Sequence, residues 1–290
     1  PPVAALAKLT SPNLRVLTPR PALGAAGAPA ATVTAVAEAA PEATYPSAFE
    51  TVTSSPVRLA ILLTYLAFNV YVVGFSPGEF STSLQSPDMQ IIAKAFEDPS
   101  TLNAIFFVAF NALGVLPAVN LALLLPGSKG QSPLPTAPFI GASFAFGFGA
   151  AGPYLALRQP RPEPIARSQL GFFSRYVTES KVYALGLVAA SVYLLGCLLG
   201  LGVSDMSHPL ATLSEFGALF ATSKLVHVSS IDFVILSAFA FDPIREDMCR
   251  RGWWDPKATD NDLKRLLAFS AVPLLGPAAY LLLRPPLPEK

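Results

Sequence analysis

Apolar positions along this chain gather into six long runs, separated by polar or proline-rich connections. The runs are Leu59–Phe75, Leu102–Leu125, Ala137–Leu157, Val182–Val203, Leu225–Phe241 and Leu263–Leu283. The first, LAILLTYLAFNVYVVGF, would reach about 26 Å as a helix, close to the roughly 30 Å hydrocarbon core of a bilayer. The pattern predicts an all-α fold: a polytopic transmembrane helical bundle of about six spans over residues 56–285. Pro117 is expected to kink the second span, and Pro273, Gly276 and Pro277 to bend the sixth. Two stretches with apolar residues at helical spacing read as short amphipathic helices. Met89, Ile92, Ala93 and Phe96 mark one, and Leu210, Leu213, Phe216 and Phe220 mark the other, within 209–220, which reads as a surface or re-entrant helix.

Composition agrees with that class. Hydrophobic residues make up 52% of the chain and charged residues 13%, where soluble domains carry about 25% charged residues. The net charge of +1 offers no basis for nucleic-acid binding. Cys197 and Cys249 are too few for a disulfide framework. Residues 1–55 are rich in Ala, Pro, Thr and Ser, and Lys8, Arg15 and Arg20 precede the first acid, Glu38. That composition is transit-peptide-like, or else a plain low-complexity tail. It cannot bury a core of its own, so an extended arm resting on a neighbouring subunit is expected. Residues 286–290 are a short C-terminal tail. Connections 1–2, 3–4 and 5–6 hold twelve Lys and Arg against eight elsewhere, which predicts that they share the non-translocated side.

Few residues offer chemistry. Lys224, His227 and Asp232 sit in or beside the fifth apolar run, where an ionisable group costs about 2.5–3.5 kcal/mol by insertion scales. That run should therefore pack inside the bundle. His227 and Asp232 are five apart and do not share a helix face, whereas Ser229 and Asp232 do. His227 is a candidate ligand for the magnesium of a chlorophyll, with Ser223 or Ser230 accepting from its other nitrogen. The alternative is a structural histidine bonded to an asparagine of the second span. Asn69, Asn103, Asn111 and Asn120 are further candidates for cofactor binding through their amide oxygens, set against ordinary interhelical hydrogen bonds. Phe241–Asp262 reads as a salt-bridged loop with Trp253 and Trp254 in an interfacial aromatic belt. Gly147, Gly149 and Gly152 match GxGxxG in letters only, since no strand precedes them. They read as a close-contact face, as do Gly196 and Gly200. No nucleophile elbow, CxxC, HExxH or P-loop occurs, so no catalytic residue is assigned.

Four passages carry a resemblance: FNALGVLP at 110–117, PFIGASFAFGFGAAGPYLALR at 138–158, LVHVSSIDFVILSAFAFDPIRED at 225–247 and PLLGPAAYLLLRP at 273–285. The chain resembles a family of multi-pass plastid membrane proteins of plants and algae that has cyanobacterial relatives and no established activity. The resemblance implies a thylakoid or envelope location. It further implies an accessory subunit of a photosynthetic supercomplex, bridging photosystem core and antenna subunits. Chlorophyll, carotenoid and lipid are the cofactors such a subunit would hold, and membrane lipids are its surroundings. The last third also resembles the small membrane domain linked to neoxanthin synthesis, which makes a carotenoid-metabolising enzyme the alternative, with His227 and Asp232 as acid and base. A small carrier is a third reading; no internal repeat is read between the halves, which counts against it.

Overall fold

The computed structural model describes residues 47–79, 81, 83–203, 205–255, 257 and 259–289. The expected arm falls mostly outside them. Its final residues form α1 (Ala48–Thr53), held by a capping box between Ser47 and Glu50, with Thr51 and Val52 buried. The described residues are all-helical, without a strand.

Four helical segments are long and apolar enough to cross a membrane, by length and composition. They are α2 (Pro56–Gly74), α4 (Ala104–Leu124), α7 (Lys181–Leu198) and the pair α9 (Lys224–Phe239) and α10 (Phe241–Arg250). Starts are set locally. Ser55, Ser180 and Ser223 cap α2, α7 and α9 through their hydroxyls, and Pro56 occupies the first turn of α2. α4 is the central element, packed against α7 and α9. Its Ala109, Ala112, Leu116, Val119 and Leu123 are all at most 7% exposed. It runs without a break through Pro117.

The six-span expectation is corrected at the third and sixth runs. Each divides into two helices too short to cross alone: α5 (Thr136–Phe146) with α6 (Phe148–Leu157), and α11 (Asp260–Ser270) with α12 (Leu275–Leu283). The breaks fall at Gly147 and Leu274, both with positive φ, +50° and +63°. α5 and α6 fold back on each other as a hairpin. The Thr136 and Tyr154 hydroxyls meet at 2.7 Å, and the Gln131 amide bonds the carbonyl of Gln159 at 2.9 Å. The hairpin thus enters and leaves at the same end of the bundle. α11 and α12 do likewise. Arg265 of α11 bonds the Trp253 carbonyl, and Arg284, just after α12, reaches Asp247 of α10.

α3 (Pro87–Glu97) and α8 (Pro209–Thr222) cover the opposite end, as the amphipathic spacing predicts. Asp88 of α3 accepts from the Ser223 hydroxyl and from Leu225 N–H, and Asn103 Nδ2 donates to the Thr212 carbonyl of α8.

The halves repeat after all. Span, surface helix, span and hairpin occur in that order as α2, α3, α4, α5–α6 and again as α7, α8, α9–α10, α11–α12. Packing repeats with them: α2 on α6 and α7 on α12, α4 on α8 and α9 on α3, α4 on α12 and α9 on α6. The sequence carries a trace of this. Tyr154–Pro164 (YLALRQPRPEP) and Tyr280–Lys290 (YLLLRPPLPEK) agree at seven of eleven positions, and Val70-Tyr71-x-x-Gly74 matches Val192-Tyr193-x-x-Gly196.

The segment 241–262, expected as a loop, is helical through Arg250 and holds the bundle's ionic node. Asp242, Glu246 and Asp247 of α10, with Glu179, face Arg58, Arg158, Arg250, Arg251 and Arg284. Arg158 reaches Glu246 at 2.6 Å and Asp242 at 2.9 Å. Arg251 and Arg284 share Asp247 and Glu179. The same guanidiniums bond helix-end carbonyls, Arg250 to Leu123 and Arg284 to Ala122, where the helix dipole is negative. Trp254, 8% exposed, and Trp253, stacked near Tyr280, pack into this end of the bundle.

This arrangement re-sorts the positive charge. Of the sixteen Lys and Arg in 47–289, only Lys94 and Lys224 belong to the opposite end. Arg58, Lys129 and Arg284, expected opposite the basic connections, lie with them. Removing one member of a buried ion network leaves uncompensated charge, at a cost of about 3–5 kcal/mol. Asp247→Ala should therefore lower the thermal midpoint of the detergent-solubilised protein far more than a lipid-facing change such as Val73→Ala. Equal midpoints would show that the node does not hold the bundle.

Candidate functional site

Between the two central spans and the first hairpin lies a cleft of about 990 Å³. Its walls come from the halves of α2, α4 and α9 nearer the opposite end, α3 roofs it, and the tip of the α5–α6 hairpin floors it. Most of the lining is apolar and aromatic, with Phe68, Phe110, Phe144 and Phe146 prominent. The polar groups are Asn69, Asn111, Ser229 and Asp232 at depth and Glu79, Ser81, Asp88 and Lys224 toward α3.

Asp232 is the group at the floor. Eight residues of helix separate it from Lys224, roughly 12 Å along the axis. It is 6% exposed, and its Oδ1 accepts from the Phe148 N–H at 2.7 Å. That amide opens α6, so the carboxylate sits at the positive end of a helix dipole. Oδ2 has no hydrogen-bond partner among the described residues. The approach depends on Gly147: any Cβ there would overlap the Asp232 carboxylate, and its φ of +50° disfavours side chains in any case. The GxGxxG letters thus carry a different meaning. Gly147 admits a carboxylate, and Gly152 admits the Tyr65 ring, whose Cδ2 lies 2.7 Å from where a Cβ would stand. Gly196 and Gly200 are not on one helix, since α7 ends at Leu198.

The candidate residues part company. His227 faces away from the cleft. Its Nδ1 lies 2.7 Å from the Phe220 carbonyl and its Nε2 lies 2.7 Å from the Tyr71 hydroxyl. A carbonyl only accepts, so Nδ1 carries the proton and, in the neutral ring, Nε2 accepts from Tyr71. Neither Ser223, Ser230 nor an asparagine of α4 is its partner. The ring is flanked by Phe220, with centroids 4.0 Å apart, and Tyr71. A magnesium ligand at Nε2 would have to displace the tyrosine. His227 ties α2, α8 and α9 together and is not in the cleft lining that holds Asp232, so the geometry does not make the two an acid–base pair.

Asn69 and Asn111 do line the cleft. Each spends an amide proton on the carbonyl four residues earlier, Tyr65 and Phe107, which leaves its Oδ1 unspent by that bond. Asn103 caps α4 and bonds α8, and Asn120 is buried at 6% exposure outside the cleft lining. Lys224 Nζ is directed at the end of α2, 2.8 Å from Ser76 Oγ and 3.1 Å from the Val72 carbonyl. No group of three or more His, Cys, Asp or Glu suited to a metal ion occurs among the described residues.

Two pairs of changes test this geometry. Gly147→Ala should destabilise by at least about 2 kcal/mol through clash and strain. Gly149→Ala, where a methyl would meet nothing within 4 Å, should be neutral or gain up to about 1 kcal/mol in helix propensity. Matching thermal midpoints for these two would refute the close approach at the tip. His227→Leu should cost about 1–3 kcal/mol, because it strands the Tyr71 hydroxyl and the Phe220 carbonyl. Tyr71→Phe should recover part of that loss in the double variant.

Comparison with protein-family models finds no match for this chain, and comparison with curated proteins and with solved structures finds none either.

Proposed function

We propose that this protein is a small membrane carrier whose cleft is the substrate vestibule. The observation that carries the reading is the floor of that vestibule. There the tip of a helical hairpin presents a free helix N-terminus to a buried carboxylate within an apolar span. Carriers place their sites at such helix breaks near the bilayer midplane, between structural repeats. The repeated order of elements supports the same reading and removes the objection raised by the sequence alone. The vestibule lies in the half poor in Lys and Arg, beneath α3, and the ionic node closes the other end. By the preference of basic residues for the non-translocated side, the node faces the cytoplasm or its organellar equivalent. Opening there would separate Arg58 and Arg158 from Asp242 and Glu246.

A second reading keeps the cleft and changes its use. As an accessory subunit of a photosynthetic assembly, the protein would hold a chlorophyll or carotenoid there, beside a photosystem core or antenna. The amide oxygens of Asn69 and Asn111 in the lining and the sequence resemblance favour it.

Accessibility separates the two. In a Cys197→Ser, Cys249→Ser background, Asn111→Cys places one thiol in the vestibule wall. A carrier exposes that thiol in turn to both faces, so a membrane-impermeant methanethiosulfonate should modify it in right-side-out and in inverted vesicles, at different rates. Modification from one face alone under all conditions counts against a carrier. A stoichiometric pigment spectrum in the gently purified protein would favour the second reading.

A further inference from the structure

The chemistry of the vestibule identifies the charge of what it takes. Four charged side chains line it: Glu79, Asp88 and Asp232 against Lys224. Two of these are engaged in the fold. Asp88 caps the start of α9 through the Ser223 hydroxyl and Leu225 N–H, and Lys224 bonds the end of α2. Glu79 is exposed. Asp232 differs from all of them. It is 6% exposed and lines the cleft, and its Oδ2, close against Gly147, has no hydrogen-bond partner among the described residues.

Magnitudes show what Asp232 lacks. An ionised carboxylate at membrane depth costs about 2.5–3.5 kcal/mol on insertion scales, and more by other measures. A helix N-terminus returns about 0.3–1 kcal/mol, up to roughly 2 in a partly buried site. The remainder is offset either by a proton on the carboxyl or by a positive charge at Oδ2. Lys224 is a poor source, since it stands roughly 12 Å away along the helix axis and is turned to α2. The cleft lining is rich in aromatic and small residues, and aromatic faces attract cations. Gly114 and Gly149, both in the lining, leave space where side chains would otherwise stand.

We propose that the vestibule binds an organic cation, an ammonium group on an apolar body, with Asp232 as its counter-ion at the hairpin tip. The ammonium would sit against Asp232 Oδ2, with the apolar body along Phe68, Phe110 and the hairpin tip. This assignment rests on the vestibule being a binding site. It adds the sign of the charge and the residue that selects it.

The test uses the full chain in a neutral maltoside detergent, with benzyltrimethylammonium as probe. Benzyl alcohol and benzenesulfonate serve as neutral and anionic counterparts, and binding is followed by calorimetry. The cation should bind at least about tenfold more tightly than either counterpart, a comparison that needs no variant. Asp232→Asn keeps an oxygen for Phe148 N–H, so it should fold, and its thermal midpoint checks this. It should weaken the cation at least about tenfold and leave benzyl alcohol unchanged. Gly114→Leu, which fills the vestibule, should abolish binding of every probe. Equal binding of cation and neutral probe, or an unaltered affinity in Asp232→Asn, overturns the inference. If Gly114→Leu alone reduces binding, the vestibule stands and the cation assignment falls. If neither variant alters binding, both fall.

Discussion

The ionic node at the basic end is the constraint on which the rest of the bundle depends. Five guanidiniums and four carboxylates are gathered there at side-chain exposures of 9% or less. Such a cluster need not add much net stability, because desolvating each charge offsets the attraction it gains. What it supplies is registry. Arg58 starts α2, Arg158 ends the first hairpin, Glu179 precedes α7, and Arg284 ends the second hairpin. All of them must reach α10 at once, so a helix shifted by one turn would strand a buried charge. The continuous α9–α10 segment is 27 residues long, about 40 Å against a hydrocarbon core of about 30 Å. Its charged final turns therefore project to the level where an ion network can persist.

Fixing that end leaves the opposite half of the bundle able to stay open. The hairpin α5–α6 is tied at its base by Arg158 and by Thr136–Tyr154, and it is free to present its tip at depth. Only a glycine can stand at the tip, because Asp232 from α9 comes against that backbone. A contact between a buried carboxylate and a half-helix is therefore built from one residue without a side chain and one with a charge. The floor of the cleft follows from that pairing, and the walls follow from Gly114, Gly149 and the aromatic residues that decline to close over it.

Duplication gives the architecture its economy. Each half supplies two spans, one surface helix and one hairpin, and the two halves meet along α4 and α9. The halves differ most around the cleft. α4 carries amides and small residues toward the cleft, while α9 carries Ser229 and Asp232. The second hairpin turns at Leu274 rather than at a glycine and packs Tyr280 against Asp247, so it serves the node rather than the vestibule.

The sequence by itself determined the class of this protein. Long uncharged runs, serine caps and proline starts are local signals, and they placed the helix starts to within a few residues, while the continuation of the fifth run to Arg250 escaped them. The two amphipathic surface helices were legible for the same reason, as was the inward packing of the run that holds Lys224, His227 and Asp232. Hydropathy alone cannot tell a span from a hairpin, since both keep apolar side chains toward the membrane or the core. Only the tertiary structure showed that 137–157 and 263–283 turn back at Gly147 and Leu274. The YLxLR match between Arg158 and Arg284 was the available sign of duplication, but its meaning rests on both arginines converging on α10. The charge-rich stretch from Phe241 read as a loop although Glu246 and Asp247 pair with Arg250 and Arg251 at helical spacing, because its other partners, Arg58, Arg158 and Arg284, stand 37 to 188 residues away and leave no local period. For the same reason His227 and Asp232, neighbours in sequence, parted: one helix face met Tyr71 and Phe220, and the other met the open tip of a hairpin.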